Sequence, residues 1–429
     1  MLDDRSALDP QGTRAAIAAL FAPNAVLARI TRVEATLAEV QAELDLVPEA
    51  AARAIACSSA PTPEAVYCHR ARVGHPMVAV LEAFGDQIAA EGREWLHFGA
   101  TTADIFRIVT VLTLHDTAVV LDQAFGRIRG RLAGLAATHR ATPMIGRTLG
   151  RHALPITFGY KVSAWASQLD RDRARLADWR ARFATAVLSG AVGTHAAMGP
   201  LGPEVERRVM KRLGLGVPDP ADSKGAQDIF AEFAAALAIA ARGFQRIAQE
   251  IFLLQGDDIA ELSIRNRAVG SSTMPHKVNP TLCIEIQSRA PEISAVLPVL
   301  LEWVVTIHER DSAIHLGAVE QMCLDMGQLT SCAEALLDRL IVHPQTMRDN
   351  IDRTQGAIYT EAVTVQLAGR VGRRTAHEVM QEVAARMRAD GLSLAQVIAG
   401  DPRFDGVVLP DPETAIGEAP RLVDAFLAR

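Results

Sequence analysis

The sequence predicts an all-α fold, and three observations carry that expectation. Hydrophobic residues make up 49% of the 429-residue chain and charged residues 22%, a balance that excludes a disordered polymer. Aromatics are only 5%, while Ala and Leu abound, and these lose little side-chain entropy in a helix. The apolar residues then recur at helical spacing over long stretches. Ile229, Phe233, Leu237, Ala240, Phe244, Ile247, Ile251 and Leu254 step by three or four, a sustained near-heptad seam. At 1.5 Å per residue such a helix is roughly 40 Å long.

The elements group into three regions. Residues 1–104 read as short helices joined by polar turns, one of them running from Val26 to Leu44 with Val26, Ile30, Val33, Leu37, Val40 and Leu44 on one face. Residues 105–344 carry five long helices: Ile105–His139, Thr157–Leu188, Ile229–Leu254, Thr281–Ile307 and Ala318–Ile341. Several of these are apolar well beyond a single seam; the 231–241 stretch is almost all Ala, Phe, Leu and Ile. Such helices must be buried, and in a bundle of five part of that surface is expected to meet other copies of the chain. Residues 345–429 read as shorter helices, punctuated by Gly391, Gly400, Pro402, Pro410, Pro412 and Gly417.

Charge and cysteine usage narrow the function classes. Forty-four basic against 50 acidic residues give a net charge of −6, which argues against a nucleic-acid footprint but leaves room for a small anionic substrate. Apolar runs break within about a dozen residues, short of the ~20 that span a bilayer. The opening MLDDRSALDP is acidic and lacks an apolar signal core. The five cysteines (Cys57, Cys68, Cys283, Cys323 and Cys332) form neither CxxC pairs nor an even framework. A reduced, cytoplasmic, metal-free protein is the expectation.

Chemistry concentrates in a few segments. Gly270-Ser271-Ser272-Thr273-Met274-Pro275-His276-Lys277-Val278-Asn279-Pro280 reads as a loop entering a helix, with Asn279 suited to the N-cap and Pro280 to the first helical position. The loop therefore sits at the positive end of a helix, where Lys277 adds a full cation. A serine hydroxyl acts as a base only when N–H groups, a helix end or a cation stabilise its oxyanion, and all three can be supplied here. In His97-Phe98-Gly99-Ala100-Thr101-Thr102-Ala103-Asp104, Thr101 and Asp104 form a capping-box-like pair opening the next helix, beside free hydroxyls able to hold a carboxylate. His75 and His97 are the leading histidines; His195, His276 and His315 are weaker candidates.

The 270–280 segment resembles the signature loop of the fumarase/aspartase superfamily, which includes fumarase, aspartase, argininosuccinate lyase, adenylosuccinate lyase and carboxymuconate cycloisomerase. The 97–104 segment is similar to the HxGxTSxD motif of the adenylosuccinate lyase and cycloisomerase branch. Gly146-Arg147-Thr148-Leu149-Gly150-Arg151-His152-Ala153-Leu154-Pro155 resembles its GRTHxxxAxP motif. Ser189–Thr194 and Gly369–His377 also fit, so that the resemblance spans about Phe21 to Leu427. It implies a three-domain helical subunit whose long helices form the core of a homotetramer, with each active site shared between three subunits.

The resemblance also implies a reaction: anti β-elimination from a succinyl-type substrate through an aci-carboxylate, with release of fumarate. Ser271 would be the general base. Lys277 and Asn279 would hold the substrate carboxylate or order the loop. Thr101, Thr102, Thr148 and Ser272 would contact the other carboxylate or the leaving group, with His75, Arg147, His152 and Met274 as further substrate contacts. No metal or organic cofactor is implied.

Departures from the family pattern bear on the substrate, expected to be a small dicarboxylate or tricarboxylate. Leu149 stands where fumarase and adenylosuccinate lyase have histidine, so the leaving group is protonated from elsewhere, His97 being the candidate, or needs no proton. The region from Ser223 to Glu232 lacks the arginines of adenylosuccinate lyase, and Glu320-Gln321 replaces a Glu-Arg pair. Arginines grip phosphate, so their loss disfavours a nucleotide substrate. The leading expectation is a lyase of small succinyl compounds. A lactonising 3-carboxy-cis,cis-muconate cycloisomerase is the alternative, and the intact Ser271, Lys277 and Asn279 argue against a non-catalytic scaffold.

Overall fold

The computed structural model describes residues 12–183, 185–221, 226–265, 274, 277–305, 307–309 and 316–429. Short helices come first: α1 (Thr13–Phe21), α2 (Pro23–Glu43), α3 (Glu49–Ala56), α4 (Pro63–Val73), α5 (Pro76–Gly85) and α6 (Ala90–Arg93). The long α7 (Thr102–Thr138) follows, then an antiparallel hairpin of β1 (Pro143–Thr148) and β2 (Arg151–Thr157). Next come α8 (Phe158–Phe183), α9 (Gly202–Leu213) and α10 (Asp228–Leu254). A short strand β3 (Leu262–Ile264) precedes α11 (Thr281–Glu302) and α12 (Leu316–Arg339), and pairs antiparallel with β4 (Leu340–Val342). The chain closes with α13 (Pro344–Asp352), α14 (Thr360–Val371), α15 (Arg373–Asp390), α16 (Leu394–Ile398) and α17 (Ala419–Leu427).

The helix starts follow the chemistry of their first residues. Prolines open α2, α4, α5 and α13, and Pro420 is the second residue of α17, positions where the missing N–H is one that no helix could satisfy anyway. Thr62 caps α4 through Ala65 N–H, and Ser393 with Gln396 makes a full capping box on α16. All eight seam residues expected in α10 are buried, so the period of three and four was a core signal. Ile239, on the same helix, is 44% exposed.

The described chain divides into two compact units. The first holds residues 1–126, 171–244 and 288–332. Within it Trp179 of α8 packs on Phe233 of α10 at 4.7 Å between ring centres and donates its indole N–H to the Ile229 carbonyl at 2.7 Å. Phe125 of α7 meets Phe244 of α10 at 5.5 Å, and Phe230 stacks on Trp303 at 4.8 Å. Arg289 of α11, almost fully buried, pairs with Asp325 of α12 at 2.9 Å.

The second unit holds residues 127–170, 245–287 and 333–429. Here Lys161 of α8 reaches Glu250 of α10 at 2.6 Å, and Arg127 of α7 reaches Glu334 of α12 at 2.8 Å. Its C-terminal part has its own apolar cluster, in which Val363 and Leu367 of α14 meet Ala376, Met380 and Val383 of α15 together with Phe404. Each of the five longest helices has residues in both units. Among the described residues no single helix is long and apolar enough to cross a membrane.

Two expectations are adjusted. The Gly146–Pro155 segment is an extended hairpin, so the fold is helical with small β additions. The helix after the 270–280 loop starts at Thr281, and the Pro280 carbonyl accepts from Ile284 N–H. Pro280 is thus the N-cap and Asn279 lies one residue upstream, because a proline carbonyl accepts the first helical bond as well as any other.

Candidate active site

In the first unit the His97–Asp104 segment is pinned from three sides. Asp104, fully buried, accepts from Thr101 N–H at 2.8 Å, which is one half of the expected capping box. Its other oxygen accepts from Ser189 N–H at 3.1 Å. One carboxylate thereby joins two of the sequence motifs, 85 residues apart. Gln41 of α2 donates to the Phe98 carbonyl at 2.7 Å. Gly99 has φ +74°, and a Cβ there would lie 2.6 Å from Met198 Cγ, so both conformation and space require glycine. Thr101 and Thr102 are half-buried at the start of α7.

His97 is the most constrained candidate. Its backbone is left-handed, φ +66°, which costs a non-glycine residue on the order of 1 kcal/mol. Its Nδ1 lies 2.7 Å from Glu34 Oε1 on α2, and the Glu34 side chain is 1% exposed. An ionised carboxylate only accepts, so Nδ1 carries the proton. Burial pushes the imidazole toward its neutral form, but Glu34 and the charge of Asp104 outweigh it, and the pKa rises above the ordinary value of 6.5. The Nε2 atom has no hydrogen-bond partner among the described residues.

His75 is exposed and caps α5, its Nδ1 accepting from Val78 N–H at 3.3 Å. That bond fixes a tautomer with the proton on Nε2. His195 also has a left-handed backbone, φ +53°, and its Nε2 lies 3.6 Å from Glu206.

The second unit supplies the hairpin and the end of the signature loop. Leu149 and Gly150 both have positive φ, +51° and +74°, and join directly paired Thr148 and Arg151. This is a two-residue turn of type I′, which suits the twist of the strands but strains a leucine. The Leu149 side chain is fully exposed at the tip. Thr148 and His152 are exposed beside it. Burial lowers the His152 pKa, helped by the nearby Arg147 cation.

Arg147 was expected among the substrate contacts, but its guanidinium is engaged within the unit. It forms a bidentate pair at 2.7 and 3.1 Å with Glu261, whose side chain is 0% exposed. Asn350 donates to the same carboxylate at 3.0 Å and to the Ile259 carbonyl at 2.8 Å. Arg147 therefore ties the hairpin to α13 and the β3 edge, because a buried carboxylate this close demands a charged partner.

At the loop, Lys277 and Met274 are exposed, and Lys277 N–H donates to the Met274 carbonyl at 3.0 Å, four residues before α11. Ser271, Ser272, His276 and His315 lie outside the described residues, as do Ser223–Gly225 and the Arg310–Ser312 stretch. Where the Glu320-Gln321 pair stands, Gln321 donates to Asp325 at 2.8 Å, the carboxylate that also holds Arg289. Glu34, Glu261 and Asn350 escaped sequence reasoning. The only local sign was an acid beside the apolar seam of α2, at Glu34.

With helical bundles, hairpin and motif segments in place, the comparisons with known proteins give the class. Residues 62–293 match the family described as "Lyase", and residues 356–426 match "Adenylosuccinate lyase C-terminus". The chain belongs to this lyase family, the fumarase/aspartase superfamily. Among its relatives, an adenylosuccinate lyase of Methanothermobacter thermautotrophicus is 33% identical over 94% of this chain and 93% of its own. An N-acetyl-S-(2-succino)cysteine lyase of Enterococcus italicus is also 33% identical, over 83% and 80%. The crystal structure of 3-carboxy-cis,cis-muconate lactonizing enzyme from Pseudomonas putida superimposes with a TM-score of 0.87 at 27% identity, covering 99% and 98%.

Proposed function

We propose that the chain catalyses anti β-elimination from a small succinyl-type substrate, breaking a C–N or other C–X bond and releasing fumarate. Ser271 removes the proton next to a carboxylate, and the negative charge gathers on that carboxylate as an aci-carboxylate. Lys277 and the N-terminal end of α11 stabilise it, since preorganised cations and N–H groups act where charge develops. Thr101, Thr102, Thr148, Ser272, His75 and His152 hold the remaining substrate groups. His97 donates the proton that the leaving group needs, in place of the histidine replaced by Leu149. The working enzyme is a cytoplasmic homotetramer in which three subunits build each site.

The observation that carries this reading is the intact 270–280 sequence motif ahead of α11, with exposed Lys277 two residues before Asn279. A small substrate is favoured over a nucleotide because Gln321, bonded to Asp325, replaces a phosphate-gripping arginine. Relatives of equal identity act, by their names, on a nucleotide and on a succinylated cysteine, so overall similarity does not separate the two. A second reading, lactone formation, is supported by Leu149 at the hairpin tip and by the lactonising structural neighbour.

Purified enzyme screened against N-substituted aspartates, N-acetyl-S-(2-succinyl)cysteine, nitrosuccinate and carboxymuconate decides between them. Fumarate release, followed by absorbance, is the expected outcome; lactone from carboxymuconate without fumarate from any other compound establishes the second reading. Ser271→Ala is expected to remove turnover while leaving the melting temperature unchanged.

A further inference from the structure

Among the buried acids of the described residues, Glu34 is the one hydrogen-bonded to the side chain of His97. Glu34 sits mid-helix in α2, on the face that also buries Ile30, Val33 and Leu37. Its Oε1 meets His97 Nδ1 at 2.7 Å, and its Oε2 is buried without a partner. The carboxylate thus has a single hydrogen-bonding neighbour, at a distance typical of a charge-assisted bond. A glutamate in that position is poorly solvated, and only a cation facing it offsets the lost hydration. His97 in turn has a left-handed backbone, with Nδ1 against α2 and Nε2 without a hydrogen-bond partner among the described residues. The other charge close to the ring is Asp104, at the start of α7.

We propose that Glu34 is a positioning residue: through Nδ1 it fixes the His97 ring and holds it as an imidazolium, with Nε2–H presented to the leaving group. This rests on the reading of His97 as proton donor. In the step, the C–X bond breaks with its electron pair going to X. The Nε2 proton passes to X, and the electrons of the deprotonated carbon form the C=C bond of fumarate. His97 ends neutral with its proton still on Nδ1, and Glu34 stays ionised throughout. The arrangement answers the loss of a proton carrier at Leu149 with a dyad assembled from α2 and the segment before α7.

The test uses the full-length enzyme, with Glu34→Gln, Glu34→Asp and His97→Asn beside it. The rate of histidine Cε1 hydrogen–deuterium exchange against pH, read by mass spectrometry, gives the midpoint of His97 in each. The peptide between Arg93 and Arg107 contains no other histidine. The profile of kcat/KM against pH is measured on the best substrate of the screen. In the unmutated enzyme the His97 midpoint is expected above 6.5. In Glu34→Gln it falls by about one pH unit, the alkaline limb of kcat/KM moves down with it, and turnover at pH 8 drops on the order of tenfold or more. Glu34→Asp retains part of the effect. A Glu34→Gln enzyme with unchanged midpoint and limb overturns the proposal, whatever its melting temperature. Should that variant not fold, a midpoint at or below 6.5 in the unmutated enzyme overturns it equally. Unchanged kcat/KM and profile in His97→Asn would instead sink the donor reading on which the proposal stands.

Discussion

Replacing Arg147 by alanine separates two roles that the sequence alone cannot. The guanidinium makes two hydrogen bonds to Glu261, whose side chain is 0% exposed, and Asn350 supplies one more. Without Arg147 the carboxylate keeps a single neutral donor in a buried site. Breaking a buried ion pair from one side costs about 3–5 kcal/mol, most of it the penalty of the uncompensated charge. An unfolding entropy of about 2.1 cal/mol/K per residue gives roughly 0.9 kcal/mol/K for a chain of this length melting as one, so a cost of ~4 kcal/mol lowers Tm by about 4 °C. Scanning calorimetry at fixed scan rate and protein concentration measures it. Adding Glu261→Gln to Arg147→Ala removes the stranded charge and is expected to recover about half of the loss, whereas two independent sites would give additive losses. An Arg147→Ala enzyme that loses kcat/KM while its Tm stays within 1 °C would refute the reasoning and return Arg147 to direct substrate binding.

Three further outcomes follow from the geometry. Gly99→Ala is expected to destabilise by about 1–3 kcal/mol, through the clash 2.6 Å from Met198 Cγ and the positive φ, and to lower turnover by loosening His97 and Thr101; denaturant titration alongside the elimination assay reads both. In the native enzyme Cys57 and Cys68 are expected to react readily with a thiol reagent at pH 7.5. Cys283, pushed up to about 11 by burial, and the buried Cys323 and Cys332 should react only after denaturation. The raised pKa of His97 makes its pairing with Glu34 a source of stability that is complete below the unfolded value near 6.5 and is lost as pH rises through the folded value. The Tm difference between unmutated and His97→Asn protein should therefore be widest near pH 6 and narrow by pH 9; a gap growing toward alkaline pH contradicts the assignment.

The long helices were legible because a period of three and four over more than twenty residues has one physical meaning. The eight seam residues of α10 are the clearest instance. The motif segments were legible as a resemblance, but the way they are held was not. Leu149-Gly150 gives no local signal for a type I′ turn, since leucine is a poor occupant of a positive φ. The acids behind the motif residues lie far along the chain: Glu34 is 63 residues from His97, and Glu261 is 114 from Arg147. Pairing over such distances is decided by packing, and a single sequence carries no local trace of it. The start of α11 shifted by one residue for a smaller reason, because proline serves as N-cap or first helical residue alike.

Strain gives independent weight to the same segments. Seven non-glycine residues have positive φ among those described, and four of them fall at or beside the elements argued above: His97, Leu149, His195 and Ala260. His97 is tied to Glu34, Ala260 immediately precedes the Glu261 that grips Arg147, and Leu149 forms the exposed hairpin tip. A left-handed conformation costs such residues roughly 1 kcal/mol each and persists only where the surroundings over-determine it. At His97 and Ala260 the surroundings are a buried carboxylate and its hydrogen bonds. At Leu149 only the hairpin itself does so, with an apolar side chain fully in solvent within one chain. A leucine held there has no side-chain packing within the subunit to offset the strain, so the turn is kept by the pairing of Thr148 with Arg151 alone.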